Sequence, residues 1–407
     1  MTAAAPVRPV PAVRSTSLWV ALAIVLVAIN LRPAVVAVAP LLAEIRVVEG
    51  LSGVTAGLLT ALPVFCFGLF APVAPVLARR IGIERALFIA LVLLVAGFAT
   101  RLLPSLVALF AGTVLVGAAI AMGNVLLPSL IKRDFSHRTG LMTGIYTMAI
   151  SAGGGLAAGL TVPVAQAAGL DWRLALGAWG IVALGALLCW LPQLRGAGHR
   201  IGAGASQVAA LRRDPIAWQV TAFMGLQSMS YYGLAAWLPA VFVARGFDAA
   251  AAGWLLSIAS FTGIAGAMAA PTIATRFRQQ SAVVAGVTAL SALGLLMVLV
   301  IPGAEIVGTV VLGVGQGGCL GVALTLMALR APDAAHAAQL SGMAQSVGYM
   351  VAAAGPFAVG ALHDLSGGWT VPLVVVLVMF APQAVVGALA GRARFVGERE
   401  AAPAPAP

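Results

Sequence analysis

The sequence predicts an all-α membrane protein: twelve transmembrane helices in two pseudo-symmetric six-helix halves. Three observations lead there. Of 407 residues, 61% are hydrophobic and 9% charged, with a mean hydropathy of +1.06, a balance that suits lipid as the solvent. Apolar runs of roughly twenty residues, enough to cross about 30 Å of hydrocarbon as a helix, recur from Leu18 almost to the C-terminus. Landmarks also repeat at nearly one displacement: Gly144 and Gly342 are 198 residues apart, Trp172 and Trp369 are 197 apart, and Arg80 and Arg276 are 196 apart. Internal duplication puts such marks in register.

Residues 1–17 read as an N-terminal tail, and the spans follow at 18–40, 54–78, 84–102, 105–130, 139–165 and 172–192. The first span follows Arg8 and Arg14, yet it is longer than the apolar region of a signal peptide and contains Arg32, so it reads as retained. The interval 193–214, with Arg195, Arg200, Arg212, Arg213 and glycines at 196, 198, 202 and 204, reads as a flexible linker between the halves 18–192 and 215–391. The second half carries spans at 215–243, 250–275, 281–301, 304–329, 338–362 and 370–391. The tail 392–407 is expected to be disordered, because the Ala-Pro alternation from Ala401 cannot form a helix.

The net charge of +11 invites a nucleic-acid reading, but its distribution favours topology. Eighteen Lys/Arg fall on the side of the termini, and four, Arg46, Arg101, Arg173 and Arg245, fall on the other. The positive-inside rule then places both termini and the linker in the cytoplasm.

Arg32 stands thirteen positions past Trp19, roughly 20 Å along a helix. A charge that deep faces the bundle interior or a water-filled cavity; the alternative is an arginine that snorkels or anchors a neighbouring helix through carbonyls. A guanidinium is a fixed fork of donors that stays protonated, which suits a small anion or a polar acceptor such as a nitro group and repels a cation. All twelve acidic residues, among them Glu44, Asp171, Glu305 and Asp364, lie in loops, tails or span edges, which counts against carriers driven through an embedded carboxylate. His137 and His363 at span edges are the groups that titrate near neutral pH.

Gln227 and Tyr231, and again Gln345 and Tyr349, are four apart and share a helix face. With Asn124, Tyr146 and Gln316 they form a candidate ring of donors around a central cavity. Interhelical hydrogen bonds, worth about 0.6 kcal/mol on average, are the competing explanation. The glycines at 153, 154, 155 and 159 and at 313, 315, 317, 318 and 321 lack a preceding strand and a Gly-Lys-Ser/Thr ending, so close helix packing is expected and not a phosphate loop. Cys66, Cys189 and Cys319 show neither metal-ligand spacing nor an evident disulfide pairing and are expected to pack, with no cofactor or metal. No nucleophile, metal cluster or acid/base pair at one depth argues for an enzyme. No soluble signalling segment argues for a receptor.

Twelve spans in two halves with a basic central loop resemble the major facilitator superfamily. Asn30-Leu31-Arg32-Pro33 resembles the signature of the cyanate transporter and 2-nitroimidazole exporter (CynX/NimT) family, as do Gly123 to Pro128 with Lys132-Arg133-Asp134-Phe135, Leu62-Pro63-Val64 with Cys66 to Phe70, Gln227-Ser228 with Tyr232-Gly233 and Ala236 to Pro239, and Ser341 to Tyr349. The resemblance covers residues 18 to about 391. It implies the major facilitator fold and secondary active transport of a small anionic or polar organic solute, cyanate-like, by alternating access. Efflux of neutral nitroaromatics such as 2-nitroimidazole is the alternative. It also implies a monomer in the bacterial inner membrane, a small-molecule partner and room for a coupling proton or other ion, and it adds Asn30 to the candidate binding residues. One departure concerns the gating loop after the second span: in Arg79-Arg80-Ile81-Gly82-Ile83-Glu84-Arg85, Arg79 stands where the superfamily has an Asp. Glu84 either substitutes for that acid or is a solvated loop charge.

Overall fold

A computed structural model describes residues 16–135, 138–196 and 211–397. The tails, His137 and most of the expected linker lie outside the described residues. Twelve membrane-length helices follow one another. The first, α1, is in three pieces, Thr16–Asn30, Pro33–Val36 and Val38–Glu49. Then come α2 (Gly53–Phe70, resuming as Val73–Ile81), α3 (Ile83–Arg101), α4 (Leu106–Asp134), α5 (Thr139–Ala168) and α6 (Trp172–Trp190). The second half holds α7 (Pro215–Ala244), α8 (Ala249–Ala274), α9 (Ser281–Val300), α10 (Glu305–Leu329), α11 (Ala334–Ala352 and Ala354–Ser366) and α12 (Thr370–Ala390).

Eleven of these are long and apolar enough to cross a membrane. The twelfth, α7, carries Gln219, Gln227, Ser228, Ser230, Tyr231 and Tyr232, and its polar middle lowers its hydropathy. It is tolerated because α7 packs against α11, α12, α8, α10 and α1, and Gln227, Ser228 and Ser230 are buried among them.

The expected boundaries hold to within a few residues except at the breaks. Proline lacks an N–H and disfavours helical geometry in the residue before it. Pro33 accordingly splits α1, which then continues to Glu49 instead of ending near Pro40, and Pro72 interrupts α2. The eleventh helix likewise breaks at Ala353, three residues before Pro356, and runs on to Ser366.

The halves repeat one packing plan. Helix α3 packs on α4 and α6 as α9 packs on α10 and α12, α1 on α5 as α7 on α11, and α2 on α4 as α8 on α10. Glycines set the close approaches in equivalent places. A Cβ at Gly97 would lie 2.8 Å from the carbonyl oxygen of Gly112, and one at Gly308 would lie 2.9 Å from that of Gly294. Between halves, α2 meets α11 and α5 meets α8, the same pair with the halves exchanged. Gly155 and Gly159 admit Phe261 and Trp254 there, and Gly317 rests on the backbone of Gly263 within the second half, so the glycine strings are packing surfaces.

At the end of the bundle remote from the termini, Arg46 pairs with Asp364 at 3.4 Å, and Asp364 also accepts from the backbone N–H of Val54 at 3.0 Å. This ties α1 and α2 to α11 across the halves. Gly169 and Gly367, 198 residues apart, close α5 and α11 in the left-handed region at φ +64° and +67°.

Candidate functional site

The site is built on the break in α1. With Pro33 unable to donate, Arg32 caps the short Pro33–Val36 segment at φ −115°, and its side chain leaves the helix line. Gly154 of α5 sits against the Arg32 stem, where a Cβ would come within 3.2 Å. The broken helix also needs donors for its carbonyls. Arg101 supplies one: Nη1 donates to the carbonyl of Ala34 at 2.8 Å, while Nε and Nη2 donate to Thr113 Oγ1 at 3.2 and 3.0 Å. Counted from sequence as an outward-facing charge at the end of the span 84–102, Arg101 is 1% exposed and braces the segment that carries Arg32.

From that segment the guanidinium of Arg32 crosses to the second half. Its Nη1 donates to the Tyr231 hydroxyl at 2.8 Å, and its Cζ lies 5.2 and 5.8 Å from the ring centroids of Tyr231 and Tyr232. The chain has four tyrosines, and all four, Tyr146, Tyr231, Tyr232 and Tyr349, lie within electrostatic reach of Arg32. Edge-on ring contacts of 5.0 Å (Tyr231 to Tyr232), 6.3 Å (Tyr232 to Tyr349) and 5.7 Å (Phe67 to Tyr349) hold the cluster together.

Beside it is a cavity of about 100 Å³, lined from the first half by Arg32 and by Thr147, Ser151 and Gly154 of α5. The second half contributes Gln227, Tyr231 and Tyr232 of α7, Ser260 of α8, Gln316 of α10 and Tyr349 of α11. Arg32 is the one charged residue among the lining residues. Behind the wall runs a buried polar chain. Gln316 Nε2 donates to Ser230 Oγ at 3.4 Å, Ser230 donates to Gln383 Oε1 at 3.2 Å, and Gln383 Nε2 reaches Cys319 Sγ at 3.4 Å. The Gln316 carbonyl is left without a partner.

Of the expected binding residues, the cavity brings together Arg32, Gln227, Tyr231, Gln316 and Tyr349. Tyr146 stands near Arg32 without lining it. Asn30 turns away, donating to the carbonyls of Leu26 at 2.7 Å and Val182 at 3.4 Å. Asn124, half-buried on α4, does not line the cavity. Neither does Gln345, which donates to Ser341 Oγ at 2.8 Å, one turn back on its own helix. Tyr232, Ser260, Thr147 and Ser151 are lining residues absent from the expected ring; that every tyrosine falls inside a predicted span was the available signal for Tyr232.

In the gating loop, Arg79, Arg80 and Arg85 are exposed. Glu84 is not the solvated charge that the loop suggests: it is 7% exposed and accepts from Arg133 Nη2 of α4 at 2.6 Å. Its backbone carbonyl accepts from the Trp190 indole at 2.9 Å, so these contacts stay within the first half. His363 stacks on Trp369 with centroids 3.9 Å apart. Among the described residues no group of three or more His, Cys, Asp or Glu could hold a metal ion.

A twelve-helix bundle whose duplicated halves enclose a largely apolar cavity with one charge and a few polar side chains defines a membrane transporter, not an enzyme. The chain belongs to the major facilitator superfamily, whose family model matches residues 17–356, and within it to the cyanate and 2-nitroimidazole transporter (CynX/NimT) family. It is 41% identical over 374 residues to the 2-nitroimidazole transporter of Escherichia coli (strain K12), covering 91% of this chain and 94% of that one. It is 30% identical over 376 residues to the cyanate transport protein CynX of the same organism, covering 89% and 97%. A solved bacterial homologue of the human lysosomal transporter Spinster, inward-facing and unoccupied, superposes with a TM-score of 0.74 over 94% of this chain and 98% of that one. At 16% identity it shares the fold.

Proposed function

We propose that the protein moves a small anionic or polar organic solute, cyanate-like, by alternating access, and that the solute binds in the cavity between the halves. The observation that carries this reading is the Arg32 guanidinium, which the α1 break sets beside the cavity and a tyrosine of the other half holds at 2.8 Å. A permanent cation with donors to spare, in a space of about 100 Å³, well below the roughly 300 Å³ at which drug-sized sites begin, favours a compact acceptor. The excess of basic residues on the termini side supports a bacterial inner-membrane topology with both termini in the cytoplasm. The Arg46–Asp364 contact would then close the periplasmic end.

A second reading, efflux of neutral nitroaromatics, draws support from the tyrosine rings around Arg32 and from the 41% identical relative named for 2-nitroimidazole. Nitro oxygens accept from the same guanidinium, and a flat ring stacks on tyrosine. Flux of radiolabelled cyanate and 2-nitroimidazole in proteoliposomes tests both. Wild type is expected to move at least one of them. Arg32→Lys, a point charge in place of a fork, should cut the rate about tenfold or more, and Arg32→Ala should abolish it in a protein that remains monodisperse. Full transport by the Ala variant would reduce Arg32 to a structural residue.

A further inference from the structure

Among the described residues, the charge of Arg32 has no counter-charge. The ten carboxylates among residues 16–397 all lie toward the helix ends, away from the cavity lining. Glu84 and Asp134 pair with Arg133, Glu49 with Arg173, Glu305 with Arg245, Asp364 with Arg46, and Asp333 with His336. Asp171, Asp214 and Asp248 cap helices, and Glu44 is exposed on α1. Among the described residues, the side chains within electrostatic reach of Arg32 are tyrosines, which bring hydroxyl dipoles and ring faces but no net charge. The empty cavity therefore carries one uncompensated positive charge.

Alternating access requires this cavity to be closed to both sides in passing. Sealing it empty takes a guanidinium out of bulk water with only tyrosines to replace the lost hydration, and an unpaired ion is costly to desolvate. Sealing it with an anion on the guanidinium buries a neutral, charge-assisted pair instead. The loaded carrier thus has the lower barrier.

We propose that the protein is an anion exchanger: its halves change over when an anion fills the cavity, and the empty carrier returns much more slowly. This rests on the reading of the cavity as an anion site and adds what drives the cycle. One anion leaves for each that enters, so the exchange moves no net charge. The lining holds neither a carboxylate nor a histidine, the side chains that usually carry protons near neutral pH. The driving gradient is then that of the counter-anion, not of protons.

Wild-type protein in proteoliposomes is loaded with radiolabelled cyanate, and efflux is followed into buffer alone or into buffer with unlabelled cyanate, after subtraction of protein-free vesicles. Efflux is expected to be at least tenfold faster with cyanate outside, and that exchange should not respond to a potassium diffusion potential set with valinomycin. Equal rates in the two buffers, or an exchange rate that follows the potential, overturn the exchanger while leaving an anion site in place. Protein-dependent cyanate movement in neither buffer overturns the anion site and the exchanger together.

Discussion

Arg32 was legible because its depth in a span is a matter of counting, and a charge at that depth has few places to go. Its neighbours were less so. Spacing by four picks out Gln227 with Tyr231 and Gln345 with Tyr349, but it reports a shared helix face and not what the face meets. Gln345 satisfies itself on Ser341, whereas Tyr232, one residue and about 100° round the helix from Tyr231, also lines the cavity because α7 is enclosed on several sides. Tyr231 holds the guanidinium through its hydroxyl, so Tyr231→Phe keeps the ring and removes the acceptor. One hydrogen bond to a charged group is worth about 1.5–3 kcal/mol, and cavity water can replace part of it, so affinity for cyanate should fall about three- to tenfold in a calorimetric titration. A change below twofold would separate Tyr231 from the positioning of Arg32.

At the scale of the element, the decisive feature is the broken first helix. Pro33 marks the break in the sequence, but the sequence does not say what satisfies the freed backbone. A rule that counts charges by loop places Arg101 in solvent; the fold turns it inward because Thr113 and the Ala34 carbonyl need its donors. Arg101→Leu leaves that carbonyl unpaired in an apolar setting, at a cost of about 1–3 kcal/mol. The detergent-solubilised variant should melt several degrees below wild type and bind cyanate more weakly, and Arg101→Lys should recover part of both. Unchanged melting and binding would mean that the break stands without this brace. Helix α7 shows the opposite limit of sequence reading: the polar residues that line the cavity, Gln227, Ser228, Tyr231 and Tyr232, are among those that weaken its signature as a span.

For the whole molecule, three landmarks in register were enough to reveal two halves. The glycine pairs that hold each half together repeat at the same displacement, with Gly97 and Gly294 197 apart and Gly112 and Gly308 196 apart. In a chain with 47 glycines such matches carry little weight until contacts single them out. Which helices meet across the halves was not readable, since spans apolar all round give no facing. Asp364 makes the polar tie across the remote end, to Arg46 and Val54. Partly exposed ion pairs are worth about 0–1 kcal/mol. Asp364→Asn should therefore raise the population open at that end by a few fold, seen by electron–electron double resonance between labels at the exposed positions Val47 and Leu365; an unchanged distance distribution would remove the tie from the closure. The central claim is that an anion sits on Arg32 between the halves, and equilibrium titration of cyanate into purified wild-type and Arg32→Ala protein tests it most directly. The account predicts saturable binding to wild type and at least a hundredfold loss in the folded variant; equal affinity in the two proteins would contradict it.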